Sequence, residues 1–485
     1  MNSTKLHAAA QTFAVEEKVG ASGFNMTAAP VAAVYSPIHT TVALLECDGK
    51  RTCLIFPNLI MHTHALYRAI QRTCAQAVGV RPGDVVVFNS HNHSSPHVSH
   101  EPTRAFWAGA AGSRNCDLTP FGKRYFRALR RALESLTDRM QPVSVWWAEG
   151  HEPTIAYNRK GRRADGSTYL MREEDRLALG RDFTGDIDPH VPVVCLRASD
   201  GRTVLGVIQY AAHPATAYDP ENPNIFGEYP QVACDMLSDH LGGAPVGFMQ
   251  GCSGDINSKG LLTADVARAT RHGQRLGRAA IRAVRKLKPS HRHDCALKHD
   301  VADIPLAALP SVSRLNRQRA ELKSFLRRAA AGDEDTLDCI GLNFPRALTP
   351  PYRASLVTPA VQWTNWALRQ HAAGSAADQP RAIPMDLCAL RLGDVGIVGM
   401  PGETFISIGR QIRAASRFPL TIPCGYTNLS YGYIPDGANA GDTEYMSAFY
   451  LYSRYRPPCR KPAGDILART GVKLLRRMAG AANRA

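Results

Sequence analysis

Short apolar runs that alternate with amphipathic stretches are the feature that most constrains the fold of this chain. Val42–Cys47 and Thr52–Phe56 are apolar runs joined by a polar turn, which is the pattern of two paired strands. His64–Ala77 has apolar residues at helical spacing, and Asp84–Phe88 then predicts a buried strand. The same rhythm returns at Val204–Tyr210 and continues toward the C-terminus. The sequence therefore predicts an α/β fold in which central mixed β-sheets are flanked by helices.

Two regions interrupt this rhythm and suggest how the chain is divided. Residues 158–188 are polar and rich in Gly, Arg and Asp, which predicts a long loop. Residues 310–383 contain one helical stretch followed by Pro-rich and Gly/Ala/Ser-rich segments. We therefore predict an N-terminal extension at 1–34, a main domain formed by 35–290 and 385–480, and an inserted helical cap at 291–384.

The charge balance indicates what kind of partner the protein attracts. Lys and Arg number 58 against 42 Asp and Glu, a formal net charge of +16 at pH 7. Such a surface attracts anions, but the chain has no zinc-finger spacing and no aromatic RNA-binding motif. We therefore expect a solvated basic surface that can attract an anionic small-molecule substrate, and no specific nucleic-acid partner.

The sequence also bears on where the protein works. No run approaches the roughly 20 apolar residues that a transmembrane helix needs. The first residues lack the continuous apolar stretch of a signal peptide. We therefore expect no transmembrane segment and a cytoplasmic location.

Three predicted strands end at side chains that commonly bind metals. The strands run into His91-Asn-His93, into His213 and into Glu403. Ligands gather at strand ends in α/β folds, and two imidazoles with one carboxylate are a common catalytic zinc set. Each residue also has a plainer interpretation, His213 as a core histidine and Glu403 as a cap of the helix that follows it. Their shared position at strand exits favours the metal site.

Other residues extend this candidate site. In an extended segment alternate residues share a face, so His93 points the same way as His91 and can hold substrate or move a proton. His97 continues the cluster toward the mouth of the pocket. Gln250–Asn257 has small residues whose backbone amides can approach a ligand, although a tight turn explains the pattern equally well. Gly425–Tyr433 offers tyrosine hydroxyls to a polar substrate, or else packs as ordinary core.

The order of these short blocks resembles that of the neutral and alkaline ceramidases and their bacterial relatives. The blocks that carry the resemblance are His91-Asn-His-Ser-Ser-Pro96, Ala212-His-Pro214, Gly254-Asp-Ile-Asn257, Met400-Pro-Gly-Glu403 and Gly425-Tyr-Thr-Asn428 through Gly432-Tyr433, with Asn158-Arg159 in the long loop. The resemblance implies a zinc amidase fold with one zinc ion per chain, held by His91, His213 and Glu403. It also implies that His93 and Arg159 handle the substrate and the charge of the transition state.

The same blocks supply the remaining expectations and two departures from the family. We expect catalytic roles for Asp255 and Tyr433 as well. The residues expected to bind substrate are Asn158, His97, Asn428, Tyr431 and Tyr445. Ser430 stands where the family has a tyrosine ligand, and Asn257 stands where it has a serine proposed as nucleophile. We therefore expect three protein ligands, with Tyr431 reaching the metal only if its segment is bulged.

The leading functional hypothesis is zinc-dependent hydrolysis of an amide (N-acyl) bond by metal-activated water, in a small metabolite or a lipid-like substrate. Two alternatives use the same residues differently. A biosynthetic acyl transfer or ring closure would replace water with a nucleophile of the substrate. A catalytically inactive, basic binding protein would keep the fold without the chemistry, and metal analysis separates it from the two enzymes.

Overall fold

The computed structural model describes residues 6–23, 29–60, 63–100, 116–452 and 455–479. The α-helices are, in chain order, α1 (His64–Val78), α2 (Pro120–Glu134), α3 (Glu173–Ala178), α4 (Glu228–His240), α5 (Val266–Val284), α6 (Val312–Ala330), α7 (Pro350–Ala372), α8 (Ile406–Ala415) and α9 (Asp465–Ala479). Short 3-10 turns lie at Pro82–Asp84, Thr137–Arg139, Ala376–Asp378 and Phe449–Leu451.

The strands are numbered in the same way. Those up to residue 210 are β1 (His7–Val15), β2 (Ala33–Val34), β3 (Ile38–Cys47), β4 (Lys50–Pro57), β5 (Val85–Val87), β6 (Gln141–Pro142), β7 (Ser144–His151), β8 (Ala156–Asn158), β9 (Lys160–Arg162), β10 (Thr168–Leu170), β11 (His190–Arg197) and β12 (Thr203–Tyr210). Those that follow are β13 (Asn224–Ile225), β14 (Val246–Gln250), β15 (Ile256–Ser258), β16 (Lys288–Pro289), β17 (Cys295–Pro305), β18 (Asp338–Cys339), β19 (Leu342–Asn343), β20 (Ala382–Leu392), β21 (Val395–Gly399), β22 (Glu403–Thr404), β23 (Leu420–Cys424) and β24 (Tyr433–Ile434).

Three mixed sheets form the centre of the described structure. Their strand orders are β5-β4-β3-β1-β6, β14-β12-β11-β7-β16 and β17-β20-β21-β23. Antiparallel pairing dominates; β1, for example, pairs with β3 from His7 opposite Glu46 to Val15 opposite Ile38. Each sheet also contains one parallel pair, namely β4 with β5, β12 with β14, and β21 with β23. Parallel neighbours end at the same edge of a sheet, so each sheet has an edge where loops can gather side chains.

The three sheets share one apolar core. Side chains from all three meet in a buried cluster that includes Leu54, Val194 and Leu390. The opposite face of the first sheet packs against α1 and α2, and that of the second packs against α4 and α5. The opposite face of the third sheet packs against α6 to α9. The predicted α/β class, with mixed sheets flanked by helices, is therefore confirmed.

Local signals in the sequence determine where the helices begin and end. The Thr63 hydroxyl accepts a hydrogen bond from a backbone N–H in the first turn of α1, and Gly79, at φ +68°, ends that helix. The Asp265 carboxylate accepts a hydrogen bond from the backbone N–H of Arg268 and so caps the first turn of α5.

The regions that interrupt the predicted rhythm contain more regular structure than the sequence pattern indicates. The predicted loop at 158–188 contains the hairpin β9–β10 and the short helix α3. The predicted cap at 291–384 contains α6 and α7, but also β17, which pairs along its length with β20 of the third sheet. The predicted extension at 1–34 likewise supplies β1 to the first sheet. A sequence pattern shows that a strand exists, but not which sheet it joins. Among the described helices, none combines the length and the apolar character that crossing a bilayer requires.

Candidate metal centre and its cavity

Each of the three sheets delivers one metal-binding side chain to the same place. β5 of the first sheet leads to His91, β12 of the second leads to His213, and β21 of the third leads to Glu403. Short backbone pairings hold the loops that follow. His213 lies beside Asn257 in a parallel bridge, and Glu403 pairs with Tyr433 in the β22–β24 ladder. Strand exits that are far apart in sequence therefore meet at one point.

Four potential metal donors converge there. Oε2 of Glu403 lies 3.0 Å from Nε2 of His213 and 3.4 Å from Nε2 of His91. Nε2 of His93 lies 3.3 Å from Nε2 of His91. The metal-binding atoms of the three histidines all lie within 4.8 Å of one another. The arrangement offers two overlapping sets, three histidines or two histidines with a carboxylate, and His91 and His213 belong to both.

Hydrogen bonds on the far side of each ring determine which nitrogen faces the centre. Nδ1 of His91 lies 3.0 Å from the carbonyl oxygen of Ile60, and Nδ1 of His213 lies 3.0 Å from that of Ile256. A carbonyl oxygen only accepts hydrogen bonds, so each Nδ1 atom carries a proton, and in the neutral form of each ring Nε2 presents its lone pair. Two such lone pairs and the Glu403 carboxylate repel one another unless a proton or a metal cation lies between them. The donor set therefore fits a divalent metal such as zinc.

Burial shapes the charge state of these groups. His91, His213 and Glu403 are each no more than 2% exposed. Burial, and then the neighbouring charge of Arg159, lower the pKa of His213 to about 3. Burial alone would raise the pKa of Glu403, but His91 and His213 outweigh it and hold that pKa below its ordinary value. A neutral imidazole and an ionised carboxylate are the forms that bind a metal.

The guanidinium of Arg159 lies against the same centre. Its backbone N–H donates to the carbonyl oxygen of Asp255 at 2.9 Å, which ties β8 to the segment before β15. Nη2 donates to the carbonyl oxygen of Gly254 at 2.7 Å and to the hydroxyl of Tyr433 at 2.8 Å. Nη2 also lies 3.2 Å from Nε2 of His213. Gly254 has no room for a side chain, because a Cβ there would collide with the carbonyl oxygen of Glu403.

Two tyrosine hydroxyls approach the centre from the segment that follows β23. The hydroxyls of Tyr433 and Tyr426 each lie 3.4 Å from Nε2 of His213. The ring of Tyr426 lies 4.4 Å from that of His91, and its hydroxyl accepts a hydrogen bond from Ser253 at 3.0 Å. Sequence reasoning offered the tyrosine hydroxyls of this segment to the substrate, but it named Tyr431 and Tyr433 as site residues and left out Tyr426. Tyr426 has a φ of +54°, a left-handed conformation that the residue pattern does not predict.

A cavity of about 210 Å³ opens from the candidate centre. His91, His93, Arg159, His213 and Glu403 line one end of it. Apart from Asn343, its remaining wall is apolar or aromatic and includes Leu170, Tyr218, Leu342, Phe344, Leu348, Tyr352, Leu356, Tyr433, Tyr445, Phe449 and Tyr452. Much of this wall comes from residues 342–359, within the segment predicted as a cap. The cavity therefore suits an apolar group held next to a polar, metal-binding end.

Two of the predicted site residues lie beneath the cavity rather than on it. Oδ1 of Asp255 accepts from the backbone N–H of Ile406 at 2.8 Å, and Oδ2 lies 3.3 Å from the side-chain nitrogen of Asn158. Burial raises the pKa of Asp255 to about 6. Neither Asp255 nor Asn158 is among the described residues that line the cavity. Through these bonds, Asp255 joins the first residue of α8 to the segment that carries Arg159.

Three predicted substrate-binding residues face elsewhere. Asn428 accepts a hydrogen bond from the backbone N–H of Val87 at 2.8 Å and so closes the exit of β5. The ring of Tyr431 packs edge-on against His64 at 5.7 Å. The backbone of His97 bonds to Ser22 and Thr119. None of the three is among the described residues that line the cavity.

Comparison with solved structures finds ceramidases. The neutral ceramidase from Pseudomonas aeruginosa matches with a TM-score of 0.64 and 15% sequence identity, over 98% of this chain and 75% of that one. A ceramidase complexed with C2 matches with a TM-score of 0.65 and 15% identity, over 99% of this chain and 76% of that one. No protein-family profile and no curated protein sequence matches the chain. The chain therefore has a neutral ceramidase-like fold, and the predicted resemblance is confirmed.

Proposed function

We propose that the protein is a zinc-dependent hydrolase that cleaves an amide (N-acyl) bond in a lipid-like or small-metabolite substrate. The observation that carries the proposal is the convergence of Nε2 of His91, Nε2 of His213 and Oε2 of Glu403 at the wall of an apolar cavity. The ceramidase-like fold supports it, since those proteins are named for the lipid amide ceramide.

The side chains around the centre can divide the work of amide cleavage. A zinc ion held by His91, His213 and Glu403 supplies Lewis-acid polarisation and lowers the pKa of bound water. Arg159 and the hydroxyl of Tyr433, which are hydrogen-bonded to each other, can donate to the negative charge that develops on the amide oxygen. The apolar wall of the cavity binds the acyl group and excludes water.

Glu403 is a better third ligand than His93. Its carboxylate brings negative charge to a buried site, which a divalent cation needs, and its Oε2 faces both imidazoles that are oriented by backbone carbonyls. His93 then remains at the edge of the centre, where an imidazole can transfer a proton to the leaving amine.

Zinc content of purified variants tests the proposal. We expect about one zinc per chain in the wild type, and loss of zinc in His91→Ala, His213→Ala and Glu403→Ala, since each removes a ligand. His93→Ala should keep its zinc and lose activity. His299→Ala removes an exposed histidine of β17 and controls for zinc that binds nonspecifically. Full zinc occupancy in two of the first three variants would refute the metal site, and zinc loss in His93→Ala would favour the three-histidine set.

A second candidate function, acyl transfer to an amine, is favoured by the burial of the three donors, which limits access of bulk water. Product analysis with an N-acyl substrate and an added amine separates the two. Free acid as the main product supports hydrolysis, and a new amide supports transfer.

A further inference from the structure

A second cleft, which shares no lining residue with the cavity of the candidate metal centre, is lined mainly by cations. Its volume is about 450 Å³. We call it the basic cleft, and its basic lining residues are Arg176, Arg181, Lys259, Arg268, Arg271 and Arg275. Asp182 is the one acidic residue among its described lining residues.

The basic lining residues of the cleft come from α5, from α3 with the turn after it, and from the segment that contains Lys259. Arg268, Arg271 and Arg275 are spaced at i, i+3 and i+7 on α5, so they share one face of that helix. The facing wall is α3 and the turn after it, which carries Arg181. Lys259 lies between the walls, and the ring of His272 on α5 holds its carbonyl oxygen at 2.9 Å. The cations therefore sit on rigid elements.

The carboxylates near the cleft neutralise only part of this charge. Glu173 forms a close pair with Arg176 at 2.7 Å and lies 3.6 Å from Arg268. Asp265 lies 3.4 Å from Arg268 and only 4.0 Å from Arg271. Arg176 and Arg268 are therefore compensated, whereas Arg271 is weakly compensated.

Three further cations lack a carboxylate partner among the described residues. Arg275 donates to the hydroxyl of Thr154 at 3.1 Å, and Nζ of Lys259 donates to the carbonyl oxygen of Asp182 at 3.3 Å. Arg181 lies within ion-pair distance of no described carboxylate. The positive charge of the cleft therefore exceeds what the neighbouring carboxylates neutralise.

The titration of neighbouring groups reflects this crowding. Burial, and then the charges of Arg275, Arg268 and Arg271, lower the pKa of His272 to about 4. Burial, and then Arg176, also lower the pKa of Lys259. A bound anion would relieve this repulsion.

We propose that the basic cleft binds the phosphate groups of a ligand. Guanidinium groups match phosphate oxygens with paired hydrogen bonds, and several arginines around a recess bind adjacent phosphates better than a flat basic surface does. The recess has room for a diphosphate group, whether it belongs to a soluble phosphorylated molecule or to lipid headgroups. The inference is independent of the amidase proposal.

Calorimetric titration with inorganic pyrophosphate tests this site in the full-length protein. Arg271→Gln/Arg275→Gln removes two exposed cleft charges at i, i+4 of α5, and we expect it to raise the Kd about tenfold or more. Arg127→Gln/Arg131→Gln removes two exposed charges at the same spacing on α2, outside the cleft, and should change the Kd less than about twofold. Unchanged melting temperatures verify that both variants fold. Absence of saturable pyrophosphate binding, or equal weakening in both variants, would overturn the proposal.

Flotation with phosphatidylcholine vesicles, with and without phosphatidylglycerol, distinguishes the two sources of phosphate. Binding to anionic vesicles that pyrophosphate displaces, and that only the α5 variant loses, assigns the cleft to lipid headgroups. Pyrophosphate binding without vesicle binding assigns it to a soluble phosphorylated ligand. Vesicle binding that both variants lose equally would mean that general surface charge attracts the protein, and would count against the cleft.

Discussion

Three residues next to the candidate centre have backbone conformations that non-glycine residues rarely adopt. His91, Tyr426 and Asn428 have φ values of +64°, +54° and +63°. Each such conformation costs about 1–3 kcal/mol, so the surrounding contacts must hold it. Asn428 exchanges hydrogen bonds with both backbone groups of Val87, and His91 is held through Nδ1. These backbone conformations direct the side chains of His91 and Tyr426 toward the same centre.

We predict that the hydroxyl of Tyr433 contributes to catalysis. Tyr433→Phe removes one hydroxyl, which accepts from Arg159 at 2.8 Å and can donate to the amide oxygen. We expect kcat/KM on an N-acyl substrate to fall about tenfold or more with zinc retained. Tyr431→Phe makes the same chemical change on a ring that packs against His64, and it should lower kcat/KM less than about twofold. Equal losses in the two variants would exclude a role for the Tyr433 hydroxyl in catalysis.

At the scale of elements, a buried ion pair joins the start of β11 to α8, the helix that follows Glu403. Asp188 lies 2.6 Å from Nδ1 of His190 and 2.9 Å from Nη1 of Arg413. Burial alone would raise the pKa of Asp188, but His190 and Arg413 outweigh it and hold that pKa well below its usual range. The hydrogen bond that His190 donates to Asp188 in turn raises the pKa of His190, whereas the charge of Arg413 lowers it and that of Glu149 raises it.

This pair predicts a pH-dependent stability. The lowered pKa of Asp188 stabilises the folded protein above the unfolded-state pKa of about 3.9, and this stabilisation is lost as the pH falls below it. The raised pKa of His190 stabilises the folded protein below the unfolded-state pKa of about 6.5, and this stabilisation is lost as the pH rises above it. Asp188→Asn should therefore destabilise most between about pH 4.5 and 6.5, by about 1–3 kcal/mol in urea unfolding, and less at either extreme.

The neighbouring pair of Asp186 and Arg410 is a matched control for that experiment. It joins the same helix to the same loop at 2.6 Å, but Asp186 is 68% exposed. Asp186→Asn should change the free energy of unfolding by less than about 1 kcal/mol at every pH, since exposed pairs contribute little. If Asp188→Asn lowered the free energy of unfolding equally at every pH, the predicted role of the Asp188–His190 pair in pH-dependent stability would be wrong.

At the scale of the whole molecule, the cavity exists because the three sheets open toward α7 and the residues before it. The sheets contribute the polar end, and residues 342–359 contribute much of the apolar wall. The size of this space should therefore limit the acyl group that the enzyme accepts.

Filling the cavity tests that limit. Leu356 of α7 lines the cavity, and Leu356→Trp should lower kcat/KM for a long-chain N-acyl substrate about tenfold or more while sparing an N-acetyl one. Leu368→Trp, on the same helix and equally half-buried but outside the cavity, should affect both substrates alike. Loss of activity on the short substrate as large as on the long one would show that Leu356→Trp disturbs the fold instead.

Features that depend on neighbours in the chain follow from the order of the residues alone. Apolar periodicity and breakers such as Gly79 predict α1 and the strands around it, because hydrogen bonding and burial within one element are local. The same patterns locate the exits that carry His91, His213 and Glu403, since a strand must end where its apolar run ends.

Which side chains face the centre depends on contacts between distant parts of the chain. Tyr426 reaches it and Tyr431 does not, although they lie in one short segment, because left-handed residues and bridges to distant strands rotate the backbone between them. Asp255 and Asn158 lie beneath the site for the same reason. β17, which belongs to the segment predicted as a cap, pairs with β20 of the third sheet. Such choices rest on contacts between residues far apart in sequence, and no local pattern contains them.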